Sequence, residues 1–170
     1  MDNQSVQQTA SAGEERSLEE LIGGGRTIAM VTTMVANVPS SRPVTCVELM
    51  AGRLSFLVSR DVEWVADIAA GRAIVHVTIG NESENTYLSL QGTGMIVADA
   101  MERERLWTPL AKIWFSGPED PTLVVLRFDV TDGRFWDGPA GAIRQGIGLV
   151  RAMIEGDESL LGASGQVRTS

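Results

Sequence analysis

At 170 residues the chain has the length of one domain, and 44% hydrophobic with 21% charged residues is the composition of a soluble globular protein. Fourteen Lys and Arg against 22 Asp and Glu give a net charge of −8 without any basic run, which argues against nucleic acid and anionic membrane surfaces as partners. A lone Cys46 excludes an intrachain disulfide, no stretch reaches the roughly 18 apolar residues of a spanning helix, and the N-terminus lacks a secretory signal's basic and apolar regions, so the expected location is the cytoplasm.

Residues 1–16 are polar and read as a disordered tail. A single domain is expected over 17–155, with 156–170 as a C-terminal tail. Ser17 and Glu20 have the spacing of a capping box, and Leu18, Leu21 and Ile22 give a short helix one apolar edge. The run Gly23-Gly24-Gly25 follows this helix and precedes a strand. A dinucleotide loop needs the opposite order, so the glycines read as a helix end.

Strand patterns come next. TIAMVTTMV, the turn ANVPSS, RPVTCVEL, the hairpin turn Ala51-Gly52 and RLSFLVS follow in order. Val62, Val65, Ala66 and Ala69 then recur at helical spacing, which predicts a helix over 62–70 ended by Gly71. AIVHVTI is a strand whose His76 reads as a side chain with a local partner. With one His and one Cys, neither a zinc site nor a His-based nucleophile is expected, so an enzyme built from this chain would rely on a bound cofactor.

TYLSLQGTGMIV alternates like a half-buried antiparallel strand, and Gly92 and Gly94 predict a bend or bulge. MERERLWTPLAKIWF is helical but divided by Pro109, with Thr108 able to cap the second piece. TLVVLRFDV is a long strand continuing through TDGRFWD. A helix over 139–155 carries Ile143, Ile147, Val150 and Ile154 on one face, although Gly146 and Gly148 weaken it by about 1 kcal/mol each. Six strand runs joined mostly by short turns predict a mainly β, α+β domain: an antiparallel barrel flanked by helices.

The stretches IAMVTT, SRPVTCVEL, RLSFLVSRD with VADI, YLSLQGTGMIV, LWTPLAKIWFSGPEDPTLVVLRF and FWDGPAGAI, taken together, resemble the pyridoxamine 5′-phosphate oxidase-like split barrels, in particular their bacterial general stress protein branch. LGASGQVR resembles that branch's closing segment, and the likeness runs from residue 17 to 168 in one order. It implies a six-stranded antiparallel split barrel, a homodimer, and FMN in a groove at the subunit interface. It also implies that Arg42 takes the phosphate, that Val44 and Thr45 lie along the flavin edge, that Leu57, Val58 and Ser59 continue the groove, and that Trp136 brings an aromatic ring near the flavin. An Arg fork matches paired phosphate oxygens, Ser59 offers a hydroxyl, and amides at the following helix start point outward. Read without the resemblance, Arg42 is an exposed charge beside a turn, Ser59 a helix cap, and Trp136 a filler of the barrel end with Phe135 and Trp114.

One departure concerns the phosphate. Trp64 stands where the family usually places a Lys, and Glu63 where oxidase relatives have another basic residue. A charge-assisted hydrogen bond contributes about 1.5–3 kcal/mol, so the missing Lys weakens FMN by about 10- to 100-fold. Asp61 and Glu63 suit a helix start and repel an incoming phosphate. Trp64 can cover a ring or ribityl chain but cannot neutralise a dianion. Arg60, on the same turn, and Lys112 are the basic residues available to substitute.

The expected function is a flavin-dependent oxidoreductase acting on a small molecule, with hydride passing through the flavin and no residue assigned to acid–base work. Vitamin B6 oxidation is not expected, because WDGPAGAIR stands where a second basic phosphate clamp would be needed. The alternative is a non-catalytic split-barrel dimer that has lost FMN and binds another small ligand (a deazaflavin, a haem, a metabolite) or a protein partner.

Overall fold

The strand Thr27–Val35 buries Ala29, Val31 and Thr33 and exposes Ile28, Met30 and Met34, the period-two pattern of a sheet with one face in a core. It is β2 of a computed structural model that describes residues 15–23, 26–35, 37–71, 74–82, 84–137 and 163–168. The other elements are β1 (Glu15–Ser17), α1 (Leu18–Ile22), β3 (Val38–Met50), β4 (Arg53–Ser59), α2 (Glu63–Ala69), β5 (Ile74–Asn81), β6 (Thr86–Val97), α3 (Ala100–Leu106), a 3-10 helix (Pro109–Ile113), β7 (Leu123–Asp137) and β8 (Ala163–Arg168).

Strands β7-β4-β3-β2-β5-β6 pair antiparallel in that order, and β6 pairs back onto β7, closing a six-stranded barrel. The expected fold is therefore present. Its interior is filled by alternate residues such as Val31, Phe56, Val77, Leu90 and Phe128, and is closed by Leu18 and Leu21 of α1 and Val65 and Ile68 of α2. No helix among the described residues is long and apolar enough to cross a membrane.

Several local expectations hold for the reasons that suggested them. Ser17 Oγ accepts from the Glu20 amide and the Glu20 carboxylate accepts from the Ser17 amide, completing the capping box. Ala51 and Gly52 both adopt positive φ in the tight turn between β3 and β4. β6 shifts register between Gln91 and Gly92, where a Cβ on Gly92 would collide with the Asp129 carbonyl. His76 Nε2 lies 2.9 Å from Ser89 Oγ, its local cross-strand partner.

Other details differ. β3 starts at Val38, which pairs with Val35, so the strand begins earlier than expected and takes in Pro39, which the sequence pattern assigns to the turn; Pro43 lies in it as expected. β4 pairs with β3 only from Cys46 onward, which leaves both prolines where β3 has a strand neighbour on one side alone and Pro is tolerated. The piece after Pro109 is a 3-10 helix, and Thr108 makes no side-chain cap bond. α2 starts from Val62, so Ser59 is not its cap. β8 forms inside the stretch expected to be tail, pairing antiparallel with Arg134–Asp137 of β7 and parallel with β1. The helix expected over 139–155 lies outside the described residues.

Cys46 is buried, and burial pushes its thiol up to about 11, away from nucleophile chemistry. On the barrel's outer side Arg105 of α3 makes a two-pronged bond to Glu48 of β3, at 2.5 and 2.8 Å, and also binds Glu102, which in turn accepts from Arg127 of β7 at 2.9 Å. The hydrogen bonds from Arg105 and Arg127 hold the Glu102 carboxyl down at about 2 against an ordinary 4.5. A depressed carboxylate stabilises the fold above its unfolded pKa and loses that contribution as pH falls through its folded one. Thermal stability should therefore decline between about pH 5 and pH 2, and Glu102→Gln should remove part of that decline at a cost of about 1 kcal/mol at neutral pH. Melting curves at both pH values check this; identical curves for the two proteins at pH 7 would overturn it.

Candidate functional site

A cleft of about 680 Å³ opens on the outer side of the barrel, within the size range of small-molecule sites. One wall is made by β3 from Arg42 to Val47, Cys46 excepted, and by β4 from Leu57 to Ser59, where the two strands run on beyond their shared ladder. The opposite wall is the 3-10 helix with its flanks, presenting Leu110, Ala111, Trp114 and Phe115, and Trp64 of α2 closes one end. The helix is held in place by a small apolar cluster in which Ala111, Phe115 and Leu123 are buried, with Leu57 and Trp107 packed against them. The loop from Ser116 to Thr122 is tied by the Asp120 carboxylate, which accepts from the amides and hydroxyls of both residues at 2.7–2.9 Å. Those bonds hold the Asp120 carboxyl well below the usual carboxylate range.

Arg42 is the cleft's single cation among the described residues that line it. Its guanidinium donates to Thr33 Oγ1 and to the Ser40 carbonyl, both at 2.8 Å, and lies 4.8 Å from the centre of the Trp64 ring. Thr33 of β2 is buried, so this bond draws the guanidinium inward rather than into solvent. Partial burial lowers the Arg42 pKa from its ordinary value, but a guanidinium remains charged at any physiological pH. No carboxylate lies within ion-pair distance of it among the described residues.

Seven of the expected site residues converge here: Arg42, Val44, Thr45, Leu57, Val58, Ser59 and Trp64 all line the cleft. Trp136 does not. It sits near the end of β7, opposite Tyr87 in the ladder and 40% exposed, while its neighbour Phe135 is buried in the core. It therefore does not fill the barrel end with Phe135 either, and Trp114 is a wall of the cleft.

Of the outward-pointing amides expected near Asp61, those of Arg60, Asp61 and Val62 are already engaged, while those of Glu63 and Trp64 are the first two of α2. Arg60 N–H donates to the Thr122 carbonyl at 2.8 Å, Asp61 N–H to Ser59 Oγ at 3.3 Å, and Val62 N–H to the Ser59 carbonyl at 3.5 Å. An anion in this corner would meet the Arg42 side chain first. Neither Arg60 nor Lys112 lines the cleft. Among the described residues no group of three or more His, Cys, Asp or Glu side chains is gathered to hold a metal ion.

The wall missed by sequence reasoning is the 3-10 helix. Its signal was present in PLAKIWF, where apolar side chains point to both sides of a segment too short to be a core helix. Leu110 and Trp114 are exposed to the cleft while Ala111 and Phe115 are buried beneath it.

A family model described as "Pyridoxamine 5'-phosphate oxidase like" matches residues 13–159. General stress protein 26 of Bacillus subtilis (strain 168) is 30% identical over 63 residues, 35% of this chain and 45% of that protein, so the match spans under half of the relative's length. Two solved structures share the fold. A general stress protein 26 of Jannaschia sp. CCS1 is 19% identical with a TM-score of 0.64, covering 83% of this chain and 89% of that one. The general stress FMN/FAD binding protein of Xanthomonas citri is 23% identical with a TM-score of 0.58, covering 65% of this chain and 80% of that one.

The cleft geometry has a direct check in the Thr33–Arg42 bond. Thr33→Val should lower stability by about 1 kcal/mol, seen as a melting temperature about 2–4 °C lower. An unchanged melting temperature would show that the bond is not made.

Proposed function

The chain belongs to the pyridoxamine 5′-phosphate oxidase-like family, and on that premise we propose that its cleft binds FMN as a flavin-dependent oxidoreductase acting on a small molecule. The observation that carries this reading is the unneutralised Arg42 guanidinium at one end of an otherwise apolar cleft. A phosphate belongs beside the cation and a planar ring between the apolar walls. Arg42 would hold the phosphate through its remaining N–H donors, with the Ser59 hydroxyl as a further contact. Val44, Thr45, Leu57 and Val58 would flank the ring and exclude water from it. A bound flavin supplies hydride transfer, so the chain need contribute only binding, orientation and electrostatics. The name of the Xanthomonas citri protein, which binds FMN or FAD on the same fold, supports this reading by analogy.

The same reading makes the protein a homodimer. Ile28, Met30 and Met34 form an exposed apolar row on β2, with Pro43 and Pro39 opposite on β3, and Ile28 and Pro43 also line the cleft. A second copy covering this row would shelter the cleft mouth, and Trp136 of the partner subunit would be the aromatic residue that approaches the flavin. Apolar surface of this extent on a sheet face is a mark of association.

A second reading has one observation in its favour. With Arg42 as the only cationic lining among the described residues, the cleft also suits a ligand without a terminal phosphate, such as a deazaflavin, a haem or a metabolite.

Freshly purified protein should show bound-flavin absorbance, or acquire it on titration with FMN. Arg42→Gln should weaken FMN about 10- to 100-fold and riboflavin far less. Colourless protein that gives no signal with FMN would overturn the flavin reading, and mass analysis of any released molecule would identify its replacement. In solution the particle should have twice the chain mass of 18.3 kDa; light scattering that finds a monomer would overturn the dimer.

A further inference from the structure

Resting on the flavin reading above, we propose that Trp64 is a positioning residue, whose indole fixes the Arg42 guanidinium in the cleft so that this single cation can discriminate for the ligand's phosphate. A carboxylate can order an arginine through a two-pronged pair, but it offsets the charge as it fixes the side chain. Arg42 is ordered differently. One hydroxyl, one carbonyl and one aromatic face surround it, and none of the three carries a negative charge.

The indole lies face to cation at 4.8 Å, within the roughly 6 Å reach over which the ring quadrupole attracts a guanidinium. That attraction restrains the fork without neutralising it. Trp64 is itself restrained, because it belongs to α2 and packs against the main core beside the buried Val65 and Ile68. The Arg42 fork is thus pinned between the barrel mouth and a helix anchored in the core. Its remaining donors have no protein partner among the described residues, and the nearby amides of Arg60, Asp61 and Val62 are occupied. Arg42 is the only cationic side chain lining the cleft among the described residues, so charge recognition of a phosphate there depends on how well this guanidinium is held. A side chain already immobilised loses less freedom when an anion binds, which raises affinity without adding a contact.

The indole also lines the cleft, so a competing role must be separated: Trp64 could act only by covering the flavin ring. FMN and riboflavin differ by the phosphate alone, and titrating both into the full-length protein by flavin fluorescence distinguishes the two roles. Trp64→Leu should lower the ratio of FMN to riboflavin affinity about three- to tenfold, on top of whatever loss of ring cover weakens both ligands alike. Trp64→Phe, which keeps a π face, should restore most of the ratio. Riboflavin binding also reports that each variant is folded. An equal loss of both ligands in Trp64→Leu, or an unchanged ratio, would overturn the positioning role and leave the flavin reading intact. Failure of the wild-type protein to bind either flavin would overturn that reading and this inference together.

Discussion

Barrel closure by β7 is the constraint on which the other elements depend. Its first part pairs with β4 through Leu123–Asp129, and its longer second part pairs with β6 through Val125–Asp137, so one strand joins both ends of the sheet. A closed sheet has no free edge in its ring, and every interior residue gains neighbours from across the barrel. Leu123, Val124, Val125 and Leu126 are buried in succession, on both faces, because α3 and the 3-10 helix cover the outside where the interior covers the inside. The run TLVVLRF is accordingly continuous in its hydrophobicity and not alternating, as a strand buried on both faces should be. Leu123 belongs to the small cluster beneath the cleft, so the strand that closes the barrel also seats the cleft's outer wall.

The parts of this fold that could be read from sequence are those fixed by local rules. Ala51-Gly52 marks a hairpin because only a turn with positive φ joins two twisted strands so tightly. Ser17 and Glu20 mark a helix start because each satisfies the other's amide. β8 escaped because ASGQVR has no apolar alternation. Val167 is the side chain known to be buried there, and the strand exists because the free side of β7 at Arg134–Asp137 offers backbone partners. The early start of β3 escaped because Pro39 argues against a strand unless one side of it is unpaired, which only the tertiary arrangement reveals.

The site divides along the same line. The strand runs were legible, and the family resemblance placed Arg42, Val44 and Thr45 in one groove with Leu57, Val58 and Ser59, all of which line the cleft. Amide occupancy and the facing 3-10 helix were not, because both depend on which loop passes beneath which strand. The Thr122 carbonyl takes the Arg60 amide only because the loop held by Asp120 returns exactly under that turn. Trp136 is placed by the ladder and not by the cleft of its own chain. Its place on β7 is as expected, and the ladder sets it beside Tyr87.

A net charge of −8 opposes the approach of any anion, but distance decides how strongly. At physiological ionic strength exposed charges more than about 8 Å apart are largely screened, so the surface acids set the approach of a ligand more than its hold. Within the cleft a partly buried guanidinium acts at a lower effective dielectric, where the same charge attracts an anion several times more strongly than in water. The dehydration that strengthens this attraction is a cost carried by the empty protein, visible in the downward shift of the Arg42 pKa. Thr33, the Ser40 carbonyl and the Trp64 ring offset that cost without adding negative charge. A carboxylate would stabilise the arginine further and leave nothing for a phosphate. Among the described residues no carboxylate pairs with Arg42, which separates it from the surface arginines Arg53 and Arg105 with their ion pairs.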